Sequence, residues 1–68
     1  MDAQIERRLI EKYAAIMVGI ADTAKDRKEL FERAKEARLD LEAECARAGL
    51  TRDDARTVWT TAAMSIPE

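Results

Sequence analysis

Asp22-Thr23-Ala24-Lys25-Asp26-Arg27-Lys28-Glu29 is the stretch that divides this chain. Upstream of it, Ile5, Leu9, Tyr13, Ile16 and Ile20 fall close to one line at 100° per residue, the period of a helix with one buried face. Within it, Glu29 follows Asp26 by three residues, the spacing of a capping box at the start of a new helix. Downstream, Leu30, Ala34, Ala37, Leu41, Cys45 and Ala48 recur at spacings of 4, 3, 4, 4 and 3, a narrow seam of near-heptad period with Phe31 on its shoulder. Two long helices joined by so short a break predict an antiparallel helical hairpin, because the second helix must fold back along the first.

The first helix is expected over about residues 2–22, with Asp2 as its N-cap. A second stripe of Ala3, Ile10, Ala14, Met17 and Ala21 widens its apolar arc to about half the circumference, more than one neighbour covers. Gly19 is its one interior weakness, at about 1 kcal/mol relative to Ala. The second helix is expected over about 26–48, with Gly49 as the residue that ends it and Leu50 as the apolar companion of that turn. Thr51 then offers a capping hydroxyl, and Asp53 and Asp54 place negative charge where the helix dipole favours it. A short third helix over about 52–65 follows, with Ala55, Val58, Trp59, Ala62, Ala63 and Ile66 on its apolar face and Pro67 as its stop. The expected fold is all-α: a hairpin plus a short C-terminal helix, one domain, dimerising into a helical bundle.

Composition agrees with that and narrows the chemistry. Of 68 residues, 47% are hydrophobic, but 13 are alanine, so the core must be built from few large side chains. A chain this short rarely gains more than about 3–5 kcal/mol from its own core, which favours self-association. With no His and a single Cys, zinc fingers, Ser-His-Asp triads and internal disulfides are excluded. Glu36, Asp40 and Glu44 share one helix face, but solvated surface is the simpler account of them. The expectation is therefore no catalytic residue, no cofactor and no metal. The longest apolar run, from Ala14 to Ala21, is too short to span a bilayer, and Asp2, Glu6 and Glu11 interrupt any signal-like N-terminus. A cytoplasmic location without membrane contact is expected, and Cys45 reads as a small buried hydrophobe.

Net charge is −2, too balanced to mark a general binder of nucleic acid or acidic membrane. Charge is nevertheless uneven along the second helix: six basic and four acidic residues lie between Lys25 and Arg38, against one basic and three acidic between Leu39 and Ala48. Antiparallel pairing of two copies would set each basic half beside an acidic half. Leu39, Ala43 and Ala46 project away from the seam, and Val18 away from Leu9, leaving apolar surface for another chain. The expected function is a small non-enzymatic protein–protein interaction module, an inhibitor, adaptor or regulator of the kind a phage or plasmid encodes. It would act as a homodimer that occludes or bridges a partner protein through Val18, Leu39, Ala43, Ala46 and Trp59. The alternative is a dimeric nucleic-acid-binding regulator using Arg7 and Arg8 on the first helix and Lys25, Arg27 and Lys28 at the turn.

Overall fold

The computed structural model describes residues 3–65. They form three α-helices, α1 (Ala3–Thr23), α2 (Arg27–Arg47) and α3 (Arg52–Met64), with no strand among the described residues. The N-cap expected at Asp2 and the stop expected at Ile66 and Pro67 lie outside the described residues.

Local chemistry sets each boundary. Asp26 sits in extended backbone and its side chain accepts from the Glu29 N–H at 2.8 Å. The Glu29 carboxylate reaches past the cap and accepts from the Lys25 N–H at 3.3 Å, so the reciprocal bond lands one residue earlier than in a capping box. At α3 the box is complete: Thr51 Oγ1 accepts from the Asp54 N–H at 3.1 Å, and Asp54 Oδ2 accepts from the Thr51 N–H at 2.9 Å. The turn between α2 and α3 requires glycine. Gly49 has φ +79°, its N–H donates to the Ala46 carbonyl, and the Leu50 N–H donates to the Cys45 carbonyl at 2.8 Å, the paired bonds of a Schellman ending.

Each helix packs against both others. The core gathers Leu9, Tyr13 and Met17 from α1, Leu41 and Cys45 from α2, and Ala55, Val58 and Ala62 from α3. Ile5, Ile10, Ala14, Ile16, Leu50 and Trp59 pack around it, so the broad apolar arc of α1 is largely taken up by two neighbouring helices. At the surface Lys12 bonds to Glu44 and the Arg33 guanidinium donates to Thr23 Oγ1, both tying α1 to α2.

The seam of α2 is buried only in its C-terminal half. Ala37, Leu41 and Cys45 are buried, Leu30 and Ala34 are half-buried, and Ala48 is exposed as the C-cap. Phe31, on the shoulder of the seam, is 64% exposed. On α3, Ala55, Val58 and Ala62 are buried between α1 and α2, Trp59 is half-buried against the same cluster, and Ala63 and Met64 face solvent.

Candidate functional site

Where the start of α3 leans on the outer flank of α2, two adjoining grooves open. The first, about 590 Å³, runs between Arg38, Leu39 and Glu42 of α2 and Arg52, Arg56 and Trp59 of α3. The second, about 390 Å³, lies between Ala43 and Ala46 of α2 and Leu50 and Thr51 of the connecting turn. Leu39, Glu42 and Arg52 border both, so Leu39 stands between them, 52% exposed. An exposed leucine on its own needs no explanation, but one set between two grooves with a half-buried tryptophan beside it is a recessed apolar surface.

The origin of the site is the Gly49 turn. By reversing the chain in three residues it brings the capped first turn of α3 against α2, and Leu50, half-buried, anchors that turn on the core. Arg52, Arg56 and Arg38 then rim the groove together with Glu42 and Asp53, so charges of both signs surround Leu39 and Trp59. The Asp54 carboxyl is held below its ordinary value of 3.8, first by the Thr51 N–H and then by the Thr51 hydroxyl, so the acid that fixes the turn keeps its charge further into acid than a free aspartate does.

Of the five residues singled out for protein contact, the structure brings Leu39, Ala43, Ala46 and Trp59 to these two grooves. Val18 is exposed on α1 and lines neither of them. The five basic residues do not form one patch. Arg7 and Arg8 lie near the start of α1, whereas Lys25, Arg27 and Lys28 lie beyond its other end, about 25 Å away along the helix. Arginines 38, 52 and 56 are the basic residues gathered around the site, and they come from two helices, which no spacing along the chain revealed.

Elsewhere some polar groups are engaged in structure. Lys12 Nζ lies 2.6 Å from Glu44 Oε1 and 5.5 Å from the centre of the Tyr13 ring. Burial, then the charges of Glu44 and Asp40, push the Tyr13 phenol up to about 12. Burial, and after it Glu44 and Asp54, raise the Cys45 thiol, which keeps it protonated and unreactive. No group of three His, Cys, Asp or Glu among the described residues is arranged to hold a metal ion. Among the described residues no helix is long and apolar enough to cross a membrane. Compared with known proteins, the chain matches no family model, no curated protein and no solved structure.

Proposed function

We propose that this protein is a small non-enzymatic helical interaction module of the cytoplasm, an inhibitor, adaptor or regulator that occludes or bridges a partner protein and works as a homodimer. The observation that carries the reading is Leu39, half out of the protein between two grooves that end in Trp59 on one side and Ala46 on the other. Aromatic and aliphatic anchors in a recess with a charged rim are the arrangement that concentrates binding energy at protein interfaces. The scaffold is an antiparallel hairpin of α1 and α2. Lys12 pairs with Glu44 and Thr23 with Arg33, so contacts that advance along α1 retreat along α2. Binding alone, without a chemical step, suits a site that is an open groove rimmed by arginines, with its cysteine buried elsewhere.

The test is affinity capture with the purified chain, with and without nuclease, followed by direct titration of any captured protein after purification. A nuclease-resistant partner that binds the wild type and loses at least about tenfold in affinity with Trp59→Ala, about 1.4 kcal/mol, supports the reading. Recovery of nuclease-sensitive material only, or a partner indifferent to both Trp59→Ala and Leu39→Lys, overturns it.

A further inference from the structure

We propose that a second copy of this chain docks on the outer face of α2 about a two-fold axis at Leu39, with Phe31 of each copy seated in the Ala46–Leu50 groove of the other. The inference rests on the homodimer reading above and gives it a register.

Phe31 is a large apolar side chain that the protomer leaves 64% exposed, outside the core. It precedes Leu39 by eight residues, about 12 Å along α2. A two-fold axis at Leu39 runs the two α2 helices antiparallel and sets level those residues whose numbers add to about 78. Phe31 thereby stands level with the partner's Arg47. At 100° per residue Phe31 lies on the same flank of α2 as Arg38 and Glu42, the flank that looks toward α3. A two-fold axis of this kind keeps that flank on its own side of the dimer. The Phe31 ring therefore comes down beside the partner's Ala46, on the groove of about 390 Å³ that Leu50 and Thr51 close from the far side.

The charges fit the same register. Lys35 and Glu42 share the flank of Phe31, and each copy's Lys35 falls beside the partner's Glu42. Glu32 and Arg47 lie on the other side of Leu39, and each copy's Glu32 falls beside the partner's Arg47. A parallel arrangement would set the basic half of α2 against another basic half and lose all four contacts. Ala43 and Ala46, small and exposed, let the partner's backbone approach. Leu39 and the Ala46–Leu50 groove are thereby given to the second copy, and because each flank stays on its own side, both Trp59 grooves open on one side of the dimer, where a partner protein meets them as a pair.

Sedimentation equilibrium of the wild type, of Lys35→Glu, of Glu42→Lys and of an equimolar mixture of the two variants tests this. Each variant alone places like charges at two symmetric contacts and should self-associate about tenfold more weakly than the wild type. In the mixture every such contact regains opposite charge, so heterodimers should form with nearly wild-type affinity, a rescue that damage to the fold would not produce. Phe31→Ala should weaken the dimer by about tenfold with helical content unchanged, as expected of an aromatic anchor at an interface. A dimer in which the mixture is no tighter than the separate variants, or which ignores Phe31→Ala, overturns this register and leaves the homodimer standing. A wild type that stays monomeric overturns both, while Trp59-dependent capture of a partner protein is decided independently.

Discussion

Lys12 Nζ and Glu44 Oε1 meet at 2.6 Å across the α1–α2 seam, and the same ammonium lies over the ring of Tyr13. Glu44 is thus committed within its own chain, although its place in the acidic half of α2 made it a candidate for contact with a second copy. With the lysine 53% and the glutamate 29% exposed, the pair should be worth about 0.2–1 kcal/mol. A double-mutant cycle of Lys12→Met and Glu44→Gln, measured by urea unfolding, should return a coupling in that range that shrinks as salt rises.

Tyr13 ties stability to alkaline pH. Its phenol ionises at about 12 in the folded chain against an ordinary 10, so the folded state holds the proton more tightly than the unfolded state does. The contribution is fully present below pH 10 and is lost as pH rises from 10 through about 12. Urea midpoints recorded across that window should fall for the wild type and fall less steeply for Tyr13→Phe.

The two glycines should respond to alanine with opposite signs. At Gly19, in the interior of α1, an added Cβ meets nothing within 4 Å, and Gly19→Ala should stabilise the chain by about 0.5–1 kcal/mol. At Gly49 space is equally free, but the positive φ disfavours any L side chain, and Gly49→Ala should cost about 1–2 kcal/mol. Thermal unfolding of the two single variants checks both signs.

Leu39 and Leu41 are two residues apart and should behave as opposites. Leu41 is fully buried, and Leu41→Ala should cost about 2–5 kcal/mol, most of what so small a core supplies. Leu39→Ala should leave the protomer's helical content intact, since Leu39 is outside the core cluster. Circular dichroism of the two variants at low concentration separates them.

The buried thiol offers a direct probe of opening. Cys45 is 1% exposed and its thiol is raised by burial, so modification by a thiol reagent at neutral pH should be slow in buffer and fast in denaturant. Fast modification in buffer would mean that α3 lifts from α2 without global unfolding.

The helices were legible in the sequence because their signals are local. Asp26, Thr51 and Gly49 act on backbone groups within a few residues of themselves, and the line from Leu9 through Tyr13 to Ile20 needs only the helical period to declare a face. The site was legible in part: Leu39, Ala43 and Ala46 announce an outward face by their phase against Leu41 and Cys45. Phase put Phe31 on the shoulder of the seam, 80° from Leu41, and only the reach of α3 determines whether that angle is covered.

What the sequence determined by itself was the all-helical class and where helices begin and end, through caps, a left-handed glycine and apolar periodicity, all of which act over a few residues. The tertiary structure decided which apolar side chains find cover. Ala55, Val58 and Ala62 bring α3 against both other helices, and the lean of its first turn on α2 opens the grooves on either side of Leu39. That outcome depends on the volumes of side chains distant in sequence packing in three dimensions, a quantity that no single stretch of the chain contains.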